Sequence, residues 1–400
     1  MRKTGFALAS LGAMMMASAA YAQDLSVKLG VLNDRSGIYA DLAGEGSVLA
    51  AQMAVEDFDA EGKGIKVEIV SADHQNKPDV GSNIARQWYD QDGVDVILDV
   101  PTSSVALAVN DITREKDKVF INSGAATSDL TGAACSPNTV HWTYDTWELA
   151  HGTGGAMVAN GGKTWFFVTA DYAFGHALER DTSAVVTEAG GEVLGSVRTP
   201  FPGTDFSSFL LQAQASGAQV IGLANAGGDT INSIKQASEF GITQGGQALA
   251  GLLVFINDIH SLGLETAQGL VLTESFYWDL NDQTREWSAR YEEKMGKKPS
   301  MVQAGVYAGA LHYLKAVEAL GSKDDAKAVV AKMKELPTDD PLFGKGVIRE
   351  DGRKMHDAYL FRVKTPDQSE GPWDYYETVA TIPADKAFRP LEEGGCSLVQ

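Results

Sequence analysis

Residues 94–112 read VDVILDVPTSSVALAVNDI. An apolar run stops at Pro101, three hydroxyls follow at Thr102, Ser103 and Ser104, and an apolar-periodic stretch begins at Val105. A continuous apolar strand feeding a helix is the unit of a parallel sheet covered on both faces. The hydroxyls then fall at the first turn of the helix. Backbone amides there lack partners, and the helix dipole favours negative charge. Two readings are open: one hydroxyl caps its own helix, or the group forms a seat for a carboxylate.

The same rhythm extends outward from this unit. Strand patterns at 27–32, 65–70, 94–100 and 118–121 alternate with helical patterns at 42–58, 80–89 and 105–114. After a polar stretch at 142–145 the alternation restarts, with strands at 165–169, 192–198, 220–224 and 249–254. Helices at 176–189, 206–215 and 230–240 lie between them. Two such runs separated by one break predict an α/β fold of two doubly wound parallel-sheet lobes. Beyond Gly269 a short strand at 270–275 precedes helices at 283–294, 302–320 and 323–336. Strands at 346–349 and 358–363 then flank an Asp351-Gly352 turn. This last part is too rich in helix for a third independent sheet, so it is assigned to completing the first lobe and crossing once more to the second. The expected organisation is 23–143 plus 275–350 for the N-terminal lobe and 144–274 plus 351–385 for the C-terminal lobe. A tail follows at 386–400. Crossings near 142–144, 273–275 and 348–356 form a three-segment hinge.

Residues 1–22 stand outside the fold. Arg2 and Lys3, an apolar small-residue stretch and Ala20-Tyr21-Ala22 make a secretory signal peptide cleaved after Ala22, which sends the chain to the periplasm. Without them, 31 basic residues face 53 acidic ones, a net charge of −22. That balance, with no basic run, excludes nucleic acid as a partner. Cys135 and Cys396, in an oxidising compartment, are candidates for a disulfide that staples the C-terminal tail, with two free thiols as the alternative. The seven histidines show no H-x-x-x-H spacing, so no metal is expected. ANGGKTWFF, 159–167, imitates the end of a phosphate-binding loop but has Met157 where the motif demands glycine. HGTGG, 151–155, has no G-x-S-x-G nucleophile elbow to serve. Nothing makes a catalytic constellation: the chain reads as a binder, not an enzyme, and needs no cofactor.

Ligands of open α/β sheets sit beyond the carboxyl ends of the strands, and four strand ends carry suggestive chemistry. After Ser103 and Ser104, KVFINSGAATSDL at 118–130 again offers hydroxyls and small residues, among them Ala125 and Thr127. FFVTADYAFGHA at 166–177 places Tyr172 and Phe174 at a loop mouth, where they can fold over an apolar solute or pack on their own helix. GLANAGGDTINSI at 222–234 supplies Asn225 and Ala226, with Asp229 either capping a helix or meeting a ligand group. Tyr39, on the first loop, is placed to line the entrance.

These residues, in this order, resemble the periplasmic solute-binding proteins of ABC importers in the leucine/isoleucine/valine-binding, type I family. The likeness spans the mature chain through LGVLNDRSGIYADLAGEG (29–46), PTSSVAL (101–107), AATSDLTG (125–132), DYAFG (171–175), QASEFGI (236–242) and TAQGLVLTESF (266–276). It implies two lobes that close on a solute and hand it to a membrane permease, with a monomer as the default. It places the carboxylate-holding groups at Ser103, Ser104, Ala125 and Thr127. The chain departs from the pattern where the family's second-lobe tyrosine falls on Phe174 and its next tyrosine near Ala226. The acid that neutralises an amino acid's ammonium group falls around 252–254, where no carboxylate stands. Burying an unpartnered ammonium costs several kcal/mol. Unless Asp229 or Asp73 steps in, the resemblance therefore points to a carboxylate without an α-amino group, an aromatic or keto acid. TADYAFG, GLANAGGDTINSIKQASEFGI and ATIPADKAFRPL resemble a subgroup associated with aromatic carboxylates. The alternatives are a branched-chain or other amino-acid carrier of the same fold and a soluble ligand sensor feeding a membrane receptor.

Overall fold

The computed structural model describes residues 25–399; the signal peptide at 1–22 and its cleavage site lie outside them. The first sheet contains β1 (Leu25–Asn33), β2 (Ile65–Asp73), β3 (Val96–Asp99), β4 (Val119–Asn122) and β5 (Thr139–His141). Their order is β2-β1-β3-β4-β5, all parallel. Helices α1 (Gly44–Phe58), α2 (Pro78–Gln87) and α3 (Ser103–Glu115) connect the strands. Every residue of β3 and β4 is buried, as apolar strands between covered faces require.

The second lobe begins with α4 (Thr146–Leu149) and α5 (Gly155–Ala159). It continues through β6 (Thr164–Ala170), α6 (Ala173–Glu188), β7 (Glu192–Thr199) and α7 (Ser207–Ala215). Then come β8 (Val220–Ala224), α8 (Gly228–Glu239), β9 (Ala248–Gly251) and α9 (Ile256–Leu262). Its sheet runs β7-β6-β8-β9, again parallel. In both sheets the first strand of the lobe sits inside, so the strand order reverses beside it. That switch opens a crevice at the carboxyl ends, and the loops after β1, β3, β6 and β8 therefore face each other across the lobes.

The remaining chain forms α10 (Leu264–Ala267), β10 (Val271–Glu274), α11 (Asp282–Met295), α12 (Met301–Leu320) and α13 (Ala326–Glu335). A hairpin of β11 (Thr338–Asp340) and β12 (Gly344–Gly346) follows, and then β13 (Ala358–Val363) and β14 (Tyr376–Ile382). Helix α12 is buried over most of its length against α1 and so belongs with the first sheet. Phe361, Val363 and Tyr376 join the core of the second sheet.

Three expectations are corrected here. A third sheet does form, the antiparallel β10-β13-β14. Its third member, β14, is an edge strand exposed over most of its length and so shows no alternation of apolar and polar residues. The expected strand at 346–349 instead ends at Gly346 in the hairpin, and only an Ile348–Lys354 bridge lies beyond it. Strand β9 stops at Gly251, so Leu252, Leu253 and Val254 leave the sheet. Cys135 and Cys396 are joined as a disulfide that ties the tail to the first lobe. Among the described residues, no helix is long and apolar enough to cross a membrane.

Candidate functional site

A small pocket lies between the lobes at the facing strand ends. From the first sheet Tyr39, Leu42, Pro101, Gly124 and Ala126 line it, and Tyr144 closes the hinge side. From the second come Tyr172, Phe174, Ala226, Leu253 and Phe255. The lobes meet over it. The Tyr39 and Tyr172 hydroxyls share a hydrogen bond at 2.5 Å, and Phe201 stacks on Tyr172 with ring centroids 3.9 Å apart. Gly227, at φ +56°, is left-handed backbone that favours glycine. A Cβ there would stand 2.7 Å from the Ile38 carbonyl oxygen across the cleft. The lobes are therefore closed on each other.

Helix starts supply the electrostatics. Helices α3, α6 and α8 begin at Thr102, Tyr172 and Gly227, beside the lining residues Pro101, Phe174 and Ala226. None of the three has a side-chain cap. Elsewhere capping varies: α11, α12 and α13 are capped by Asn281, Ser300 and Asp325, whereas α1, α2 and α7 also lack a side-chain cap. The capping reading of the 102–104 hydroxyls thus finds no side-chain bond in the structure. Ser103 is buried and its Oγ accepts the Thr127 amide at 3.2 Å, tying the loops after β3 and β4 together. Thr127 Oγ1 accepts the Asp129 amide at 3.3 Å, and Ser104 is half-buried. Ala125 is clasped at both its amide and its carbonyl by Asn122. These residues sit beside the lining positions in sequence, but are not lining positions themselves.

Tyr39, Tyr172, Phe174 and Ala226 reach the cavity wall directly. Asn225 does not: its amide nitrogen donates to Ser233 and its oxygen accepts from Thr230, both on α8. Asp73 anchors the first loop through the Ser36 hydroxyl and the Gln75 amide. Asp229 is fully buried; one oxygen accepts the Gly203 amide at 3.0 Å and the other has no partner. Burial pushes its carboxyl up to about 7, against the Gly203 bond. Asp99, behind Gly124, is pushed up to about 7 by burial as well.

Sequence reasoning missed Leu42, Pro101, Gly124, Tyr144 and Phe255, while Ala126 stood among the small residues after β4 and Leu253 in the stretch 252–254 where the resemblance places an acid. For Leu253 and Phe255 the signal was present but hidden by an overlong β9. Once the strand ends at Gly251, the strand-end rule selects them. Asp258, which accepts the Phe255 amide at 2.9 Å, fixes that ring at the wall. Leu253 matters further, since the stretch where the resemblance would place an acid presents an apolar side chain to the cavity.

A family model described as periplasmic binding protein matches residues 26–371. A crystal structure of a periplasmic binding protein from Burkholderia mallei is 53% identical, covers 94% of this chain and 99% of that one, and superposes with a TM-score of 0.91. A branched chain amino acid ABC transporter periplasmic ligand-binding protein from Burkholderia xenovorans LB400 is 44% identical, with 94% and 100% covered and a TM-score of 0.83. Leu/Ile/Val-binding protein homolog 6 of Brucella melitensis is 28% identical over 361 residues, 88% of this chain and 91% of that protein.

Proposed function

The chain belongs to the periplasmic binding protein family and is the solute-binding component of an ABC importer, and on that premise we propose that its solute is a small aromatic or keto acid. The observation that carries this reading is the cavity's combination of walls and ends. The walls are aromatic and aliphatic, no charged side chain lines them, and the uncapped N-termini of α3 and α6 stand beside lining residues. Free amides and aligned dipoles favour an anion, while the walls favour an apolar body. Closure of the lobes around the solute gives the permease a state to recognise. The protein works as a monomer, exported after cleavage of its signal peptide.

The Ser103 hydroxyl, which ties the two loops through the Thr127 amide, and the Thr127 hydroxyl, which accepts the Asp129 amide, give the direct test. Ser103→Ala with Thr127→Ala should weaken binding of benzoate or phenylpyruvate by roughly ten- to a hundred-fold, about 1.4–2.7 kcal/mol. The melting temperature of the free protein should change little. Unchanged affinity by calorimetry would remove these loops from the carboxylate seat.

One observation favours the amino-acid reading as a second: the unpartnered oxygen of Asp229. If it holds an ammonium, Asp229→Asn abolishes amino-acid binding. If the solute is a plain acid, Asp229→Asn leaves affinity intact. It should then stabilise the free protein only at higher pH. A carboxyl held at about 7 favours folding least once it must ionise, so its cost grows as pH rises from the ordinary carboxylate range through 7. Denaturant melts of both forms at mildly acidic and mildly alkaline pH would show the difference.

A further inference from the structure

The hydroxyls of Tyr39 and Tyr172 meet across the lobes, and together they hold one proton more than their mutual bond uses. Each phenol carries a single proton. One of the two is spent in the 2.5 Å bond, so the other is spare, whichever oxygen holds it. Among the described residues neither hydroxyl has a further partner. Asp229 is close enough for its charge to act on both phenols. Yet one of its oxygens accepts only the Gly203 amide and the other accepts nothing. Tyr39 is 3% exposed and Tyr172 half-buried, so solvent is largely withheld from the proton as well. An unmet donor in a buried place is costly, and both rings line the cavity, which leaves the solute to satisfy it.

The donor is held from both sides. In the first lobe the Tyr39 amide donates to the fully buried Asp34 carboxyl at 2.8 Å. That carboxyl also takes the Gly37 amide at 2.7 Å and the Asn76 side-chain amide at 2.6 Å, which fixes the loop. In the second lobe Phe201 stacks on Tyr172, and its ring centroid lies 5.9 Å from that of Tyr39. Phe174 braces Tyr172 from another side, with centroids 5.9 Å apart. Rings anchored in separate lobes bring their hydroxyls together only when the lobes are shut. A solute that takes the spare proton therefore bonds to a feature of the closed form.

The remaining walls decide what kind of acceptor fits. Leu42, Pro101, Phe174, Ala226, Leu253 and Phe255 are all apolar. A ketone oxygen accepts a proton and brings none, whereas a hydroxyl would add a donor facing those walls. We propose that the Tyr39–Tyr172 hydroxyl pair is the specificity determinant of this cleft and donates to a keto oxygen, which makes the solute a keto acid. This rests on the carboxylate reading above and narrows it.

Calorimetric titration of the mature chain with acids matched on two skeletons is the test. Phenylpyruvate, phenyllactate and hydrocinnamate carry a ketone, a hydroxyl and neither; ketoisocaproate is paired with isocaproate, and benzoate is the control. On a skeleton that binds, the keto acid should be favoured over the acid without that oxygen by about ten-fold or more. Phenyllactate should bind less tightly than phenylpyruvate. The double variant Tyr39→Phe, Tyr172→Phe keeps both rings but has no hydroxyl proton, so the preference should fall to within about two-fold. Equal binding of keto and oxygen-free acids, phenyllactate bound as tightly as phenylpyruvate, or a preference that survives the double variant would each overturn the proposal and leave the carboxylate reading standing. Binding of benzoate alone would do the same. Binding of no acid at all would overturn the carboxylate reading itself, and this proposal with it.

Discussion

Arg353→Met should cost roughly 3–5 kcal/mol of stability at neutral pH, the usual penalty for leaving one member of a buried pair behind. Methionine matches the aliphatic stem of arginine, so packing on Phe388, where the guanidinium lies 4.2 Å from the ring centroid, is only partly lost. What remains is Asp145, 2% exposed and without its cation, beside Glu148. The loss should shrink toward acidic pH, where Asp145 takes a proton and no longer needs the guanidinium. Urea denaturation at neutral and acidic pH measures both effects, and a neutral-pH loss under about 1 kcal/mol would mean the ion pair carries little of the hinge.

Gly124→Val should all but abolish solute binding, by a hundred-fold or more, which is at least about 2.7 kcal/mol. Gly124 lines the cavity, and a Cβ there would stand 2.6 Å from Pro101 Cα and 2.8 Å from an Asp99 oxygen. The loops after β3 and β4 would have to part, and the Tyr144 hydroxyl, which donates to the Gly124 carbonyl at 2.6 Å, would lose its anchor. Overpacking of this kind costs stability as well, about 1–3 kcal/mol, so the fold should survive while the site does not. Calorimetric titration with benzoate or phenylpyruvate separates the two. Retained affinity would place the solute elsewhere.

The architecture was legible because central parallel strands are apolar without interruption and the helices between them are periodic, as β3, α3 and β4 illustrate. What stayed hidden had local physical causes. Strand β14 gains its place from pairing with β13 and not from any buried face. Strand β5, with only three residues, is too short to show a pattern. At the site, strand-end reasoning found Tyr39, Tyr172, Phe174 and Ala226 because aromatic and small residues stand out at loop mouths. It could not weigh Asn225, whose polar ends turn back to Thr230 and Ser233 on its own helix. Nor could it find Leu42 or Tyr144, which reach the cavity through folding across long separations. The unpartnered oxygen of Asp229 is likewise a property of three dimensions, since it depends on Gly203 claiming only one side of the carboxyl.

The proposed preference for acids without an amino group rests on Leu253, an apolar side chain lining the cavity in the stretch where the family resemblance places an acid. A thermal-shift comparison of the mature chain with paired solutes tests it most directly, because a ligand that binds only the folded state raises the melting temperature by mass action. Phenylpyruvate is paired with phenylalanine, ketoisocaproate with leucine, and benzoate stands alone. A rise with the keto acids or benzoate and none with their amino partners is the predicted result. A rise with leucine or phenylalanine and none with the acids would contradict it and make Asp229 the ammonium's partner.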